Sequence, residues 1–192
     1  MSVSENSDKT LNYSISGVKE MGDLAVSGDA FVNNYRPEPD KFNPNAPLFS
    51  AAGGSVGVAH VAGHAASITG QHIPTFGNQV TAATNLNVLA KDNHRVDVNA
   101  FTTHSMPKGP CPAFQTHGGG IDYQFKDKFN AGASLAHTPI FKQTDYSVST
   151  GLNLHKTPTS SLDFSVGANR TDTHFRRGNW EPRAFLGFKK TF

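Results

Sequence analysis

Ser55 lies in Gly53-Gly54-Ser55-Val56-Gly57, which matches the G-x-S-x-G nucleophile elbow, and His117-Gly118-Gly119-Gly120 matches the oxyanion segment of lipases. Together they would describe an esterase. Their context argues otherwise. An elbow needs a strand before the serine and a helix after it, and Val56 to Ile68 has no helical period. The His-Gly-Gly-Gly segment also follows the serine, where the hydrolase order places it before. We therefore expect no catalytic residue. Nine histidines raise a second chemistry, metal binding. His60 and His64 are four apart; on one strand they would share a face about 13 Å from each other, too far for one ion. His94, His104, His117, His137, His155 and His174 fall mostly at strand ends or in loops, so no metal and no cofactor is expected. Histidines protonating near about pH 6 would instead raise the positive charge. Cys111, between Pro110 and Pro112, is the one cysteine. It cannot form an internal disulfide or a thiolate zinc cage, and reads as a loop thiol with intermolecular pairing as the alternative.

The remaining candidate chemistry is electrostatic. The net charge is only +2, but it is unevenly placed. Residues 1–50 hold four Lys/Arg against seven Asp/Glu, residues 51–150 six against five, and residues 151–192 seven against three. Arg170, Arg176, Arg177, Arg183, Lys189 and Lys190 are the candidate contacts to an anionic surface, and Trp180 and Phe192 are the candidate residues at a membrane interface. The alternative for the cations is an ordinary solvated face, and for Trp180 simple sheet packing. The small overall charge argues against a nucleic-acid partner. No apolar run approaches 18 residues, so no transmembrane helix is expected. Nor does the N-terminus show the apolar stretch of a signal peptide. Asn12 and Asn169 stand in glycosylation sequons that matter only in a secretory route.

The elements that carry these residues read as strands. Apolar residues recur at every second position, as a strand requires, in Ile121-Tyr123-Phe125, in Phe129-Ala131-Ala133-Leu135 and in Leu162-Phe164-Val166-Ala168. Short polar breaks such as Lys91-Asp92-Asn93-His94, Lys126-Asp127-Lys128 and Lys156 to Ser160 separate such runs. Strand–turn–strand units begin at Leu86, Ile121 and Leu152, with a weaker unit over Ser55 to Thr69 and an N-terminal pair at Leu11–Ile15 and Leu24–Val26. The expectation is an all-β, antiparallel up-and-down β-barrel of ten to twelve strands, with a two-sheet β-sandwich as the alternative. The last strand, with Ala184, Leu186 and Phe188 alternating before a terminal Phe192, resembles the final strand of outer-membrane barrels; a soluble sheet burying its final strand would read the same way.

The same residues resemble the attacins, glycine-rich antibacterial proteins of insect haemolymph. The resemblance is carried by His72-Ile-Pro-Thr-Phe-Gly-Asn, Asp92-Asn-His-Arg, Gly118-Gly-Gly-Ile-Asp-Tyr-Gln-Phe-Lys-Asp-Lys, Asn179-Trp180-Glu181-Pro182 and Lys190-Thr-Phe, in order. It is strongest from about His72 onward, with residues 1–70 similar to the family's variable N-terminal region and 71–192 to its glycine-rich C-terminal region, together forming one structural unit. The resemblance implies a non-enzymatic immune effector, secreted into haemolymph, that binds lipopolysaccharide and disturbs the outer membrane of Gram-negative bacteria. The family's signal peptide and basic pro-segment are not visible, which makes the chain most similar to a signal-less branch found in flies and keeps an intracellular accessory role as an alternative. A small-ligand-binding barrel is the other alternative. Oligomeric state is not legible.

Overall fold

The computed structural model describes residues 1–36, 45–126, 128–157 and 160–190. It is a twelve-stranded sheet: β1 (Ser2–Glu5), β2 (Leu11–Met21), β3 (Leu24–Tyr35), β4 (Ala51–His60), β5 (Ala65–Ile73), β6 (Gly77–Lys91), β7 (His94–Pro107), β8 (Phe114–Phe125), β9 (Phe129–Thr138), β10 (Gln143–Lys156), β11 (Ser160–Asp172) and β12 (Glu181–Lys190). Strand order follows chain order from β1 to β12. The pairs β1–β2 to β4–β5 and β8–β9 to β11–β12 are antiparallel. The expected all-β, up-and-down layout is therefore what the chain adopts. Among the described residues one turn of 3₁₀ helix, Pro139–Phe141, is the helical exception.

The turns follow from local chemistry. Asp92 and Asn93 both have positive φ (50° and 72°), the conformation of a two-residue turn whose twist matches that of the flanking strands. Connections after even-numbered strands are short: 22–23, 61–64, 92–93, 126–128 and 157–159. Connections after odd-numbered strands are mostly longer, up to 36–50 and 173–180.

Two compact units divide the chain, 1–84 with 102–115 and 85–101 with 116–192. In the first, the register aligns one row as Gly17, Gly28, Val56 and Ile68 and the next as Lys19, Val26, Val58 and Ala66. The row on the opposite face is Ser16, Asp29, Ser55 and Thr69. In the second unit Ile121, Ala133, Val148, Ala168 and Pro182 form one row, and Phe125, Phe129, Leu152, Phe164 and Leu186 another. The opposite face there carries Asp122, Gly132, Ser149, Gly167 and Arg183. Each unit thus has a mainly apolar and a mainly polar face, with Val18, Phe31 and Phe185 as apolar exceptions on the polar one and Lys19, Arg170 and Asp172 as charged exceptions on the apolar one.

The polar face is hydrogen-bonded within itself. In the first unit Gln71 donates to Gln79 (2.8 Å), and Ser55 donates to Asp29. In the second Asn99 donates to Asp122 (2.9 Å), Asn153 to Asp163 (2.8 Å) and Thr171 to Asp145 (2.6 Å). The apolar face is not covered. Among the described residues no large apolar side chain is buried, and the buried side chains are polar: Thr10, Ser105 and Thr138. The final strand is not buried either, with Leu186 63% and Phe188 69% exposed.

Candidate functional site

Four of the six predicted cations, Arg170, Arg176, Arg177 and Arg183, gather where β11 ends and β12 begins, inside the second unit; Lys189 and Lys190 lie at the other end of β12. β11 places Arg170 and Asp172 two residues apart, hence on one face, and the guanidinium grips the carboxylate through Nε–Oδ1 at 2.8 Å and through Nη2–Oδ2. This bond holds the Asp172 carboxyl below the usual carboxylate range and raises the Arg170 guanidinium. Arg170 also lies over the Tyr146 ring (5.5 Å to its centroid) and the Trp180 ring (6.0 Å). Its charge is thus neutralised by Asp172 and its faces are occupied.

Asp172 does a second thing. Its Oδ1 accepts the Gly178 N–H at 3.0 Å, which folds the segment 173–178 back onto the end of β11. Gly178 is required there, since a Cβ would sit 2.2 Å from the Thr171 carbonyl oxygen. Within this segment Thr173 and Arg176 exchange backbone hydrogen bonds (Thr173 N–H to Arg176 O, 2.8 Å; Arg176 N–H to Thr173 O, 3.3 Å). The tip so formed is His174-Phe175-Arg176-Arg177. Phe175 is 94% exposed, touching only the His174 ring edge-on (5.1 Å between centroids). Arg176 and Arg177 are exposed and form no ion pair among the described residues.

A polar cavity of about 290 Å³ opens under this segment, lined by Asn169, Arg170, Thr173, Arg176, Gly178 and Glu181. An apolar groove of about 490 Å³ lies on the sheet, lined by Ile121, Ala133, Leu135, Tyr146, Val148 and Trp180 among others. Arg183 sits on β12 opposite Gly167, where it reaches the Asn169 amide oxygen once that amide is turned to donate to Ser147 (3.1 Å). The backbones of Lys189 and Lys190 pair with Ser161 and Ser160; their side chains lie outside the described residues, as does Phe192. The structure therefore separates the candidates. Arg176 and Arg177 are available cations beside an exposed aromatic; Arg170 is a structural tie that orders their turn. Sequence reading passed over Phe175, although an aromatic between His174 and two arginines in a polar connection was visible.

The other chemistries take definite places. Ser55 lies in the middle of β4, paired with Asp29 and Thr69, so its Gly-x-Ser-x-Gly segment is strand throughout and has no elbow. His117 is inside β8, opposite His137. His60 and His64 do not share a strand: His60 ends β4 and His64 closes the 61–64 turn, with ring centroids 6.3 Å apart, where a single strand would have set them about 13 Å apart. No group of three or more potential metal ligands occurs among the described residues. Cys111 is exposed in the β7–β8 connection.

Residues 74–192 match the family described as attacin, C-terminal region. The chain is 48% identical to "Defense protein 3" of Lonomia obliqua over 74% of its own length and 61% of that protein's. It is 44% identical to "Attacin-B" of Hyalophora cecropia over 77% of this chain and 64% of the relative. With "Attacin" of Bombyx mori the identity is 41%, over 79% and 71% respectively. The chain thus spans just over three fifths of the length of the first two relatives. No solved structure matches it.

Proposed function

The chain belongs to the attacin family, and from that premise we propose that it is an extracellular antibacterial effector that acts, without catalysis, on the outer membrane of Gram-negative bacteria through lipopolysaccharide. The relatives' names, attacin and defense protein, support the antibacterial immune role. The observation that carries the envelope reading is the turn at 173–178. It presents Arg176 and Arg177, which form no ion pair among the described residues, beside Phe175, which is 94% exposed and meets only the edge of the His174 ring. Clustered guanidinium groups suit lipid A phosphates, which they can grip bidentately. An exposed phenylalanine beside them suits the acyl boundary just below those phosphates. Arg183, Lys189 and Lys190 add charge on β12, and Trp180 and Phe192 are the further interfacial aromatics in this reading.

The experiment is a titration of lipid A vesicles against the parent chain and a six-fold alanine variant of Arg170, Arg176, Arg177, Arg183, Lys189 and Lys190. Salt-sensitive binding by the parent and its loss in the variant are expected. Unchanged, salt-insensitive affinity refutes the electrostatic part. Growth of Gram-negative cells unaffected by saturating purified protein refutes the antibacterial one.

A further inference from the structure

We infer that the apolar face of the second unit's sheet is a lipid-facing surface: after capture at the envelope, β8 to β12 enter the bilayer with this face against hydrocarbon. The inference rests on the envelope reading above and supplies its second step. Five observations converge on lipid as the occupant.

The first is the partition itself. Three consecutive rows across β8 to β12, from Ile121–Pro182 to Phe125–Leu186, contain fifteen positions, and none carries a charge. The second is that the face is uncovered, with Ile121 50%, Val148 42% and Leu186 63% exposed in the folded chain. A sheet stable in water buries one face; this one leaves its apolar face open while the polar face satisfies its own hydrogen bonds. The third is length. Rows on one face are about 6.7 Å apart along a strand. The uncharged rows from Ile121–Pro182 to Leu162–Phe188 therefore span about 20 Å along the strands, and the next row, Leu135 and Tyr146 with Arg170, whose charge is tied to Asp172, carries the band to about 27 Å, or about 20 Å across a membrane at a tilt near 40°, against the ~25 Å apolar belt of strand-built membrane proteins.

The fourth is what borders the band. Tyr146 and Trp180 stand at one end around the Arg170–Asp172 pair, where amphipathic aromatics favour the interface; Phe188 stands at the other, one row beyond Phe125, Phe129 and Phe164, beside the short turns. The fifth is the loop pattern of β8 to β12, with connections 126–128 and 157–159 at one end and the longer 139–142 and 173–180 at the other, as strand-built membrane proteins have. Hydrocarbon cannot hydrogen-bond an open strand edge, so insertion also requires the end strands to find partners, in this chain or in a second copy.

The test places single cysteines on adjacent faces in a Cys111→Ser background: Ser147→Cys, Val148→Cys and Ser149→Cys on β10, and Ser165→Cys and Val166→Cys on β11. Each carries an environment-sensitive fluorophore and meets vesicles of phosphatidylethanolamine and phosphatidylglycerol, with and without lipid A. Labels at 148 and 166 are expected to shift blue and to be quenched by nitroxides midway down the acyl chains, with labels at 147, 149 and 165 unshifted. Val148→Lys is expected to lower partitioning at least about 30-fold while leaving the urea midpoint in water unchanged, since the site is exposed there; Ser149→Lys is expected to leave partitioning near the parent value. Salt-sensitive binding to lipid A vesicles without that alternation overturns the inference and leaves the envelope function standing. Alternation that is equal with and without lipid A upholds the inference and removes lipopolysaccharide from the function. A blue shift at 148 and 166 in the absence of vesicles assigns the face to a second copy and overturns the inference.

Discussion

Replacing both Arg176 and Arg177 by alanine separates the available cations from the tied one. Both guanidinium groups are exposed on the 173–178 turn and form no ion pair among the described residues. A basic residue close to an anionic lipid surface contributes about 1 kcal/mol. The double variant should therefore lose about 2 kcal/mol, or about 30-fold in affinity for lipid A vesicles at low ionic strength. In about 1 M salt the Debye length falls to about 3 Å and the difference should shrink to about twofold. The comparison variant is Arg170→Gln with Asp172→Asn. It removes one positive and one negative charge that already cancel, and it keeps an acceptor for the Gly178 N–H. Its affinity should stay within about twofold of the parent. Vesicle co-sedimentation at several salt concentrations reads both. If the neutral pair weakens binding as much as the double alanine, charge exposure is not what selects the contact residues, and the reasoning fails.

Acid should loosen the same turn. The Asp172 pKa is lowered by Arg170, so its stabilising contribution is complete above the ordinary carboxylate value of 3.8 and is lost as pH falls below it. Trp180 fluorescence should report a transition centred below pH 3.8 that Asp172→Asn abolishes; a midpoint above 3.8 contradicts the assignment. Gly178→Ala should destabilise the turn by about 1–3 kcal/mol, because its Cβ would meet the Thr171 oxygen at 2.2 Å; an unchanged urea midpoint at Trp180 would count against the geometry. Gly118→Ala should strain the second unit, since its Cβ would lie 2.5 Å from the Phe101 ring and 2.6 Å from the Leu135 carbonyl oxygen, and Phe101→Leu in the same chain should recover only part of the loss; full recovery would count against the backbone contact. Ser55→Ala should leave antibacterial potency unchanged in a growth assay, and a large loss would revive a role for that serine.

The sheet was legible because a two-residue period survives translation into structure with little interference. The Leu86, Ile121 and Leu152 units became β6–β7, β8–β9 and β10–β11, and even the weak Ser55 to Thr69 segment became β4–β5. What failed was local. Ser55 to Thr69 reads as a weak strand–turn–strand unit, but Ala, Gly and His give no period by which to locate its turn between His60 and His64, where Gly63 has φ of 89°. Arg170 reads as one of six candidate contacts to an anionic surface, and the same two-residue rule puts Asp172 on its face, where the two pair. Alternation identifies an apolar face without saying what covers it, so the sequence allowed a buried final strand where the structure leaves Phe188 exposed. Phe175 went unremarked because connections carry no period at all.

The most direct test is uptake of an apolar fluorescent dye by Gram-negative cells exposed to the purified chain. Dose-dependent uptake, suppressed both by added lipid A and by high salt, is the predicted result. Intact cells that exclude the dye at concentrations saturating their surface would contradict an effector acting on the outer membrane.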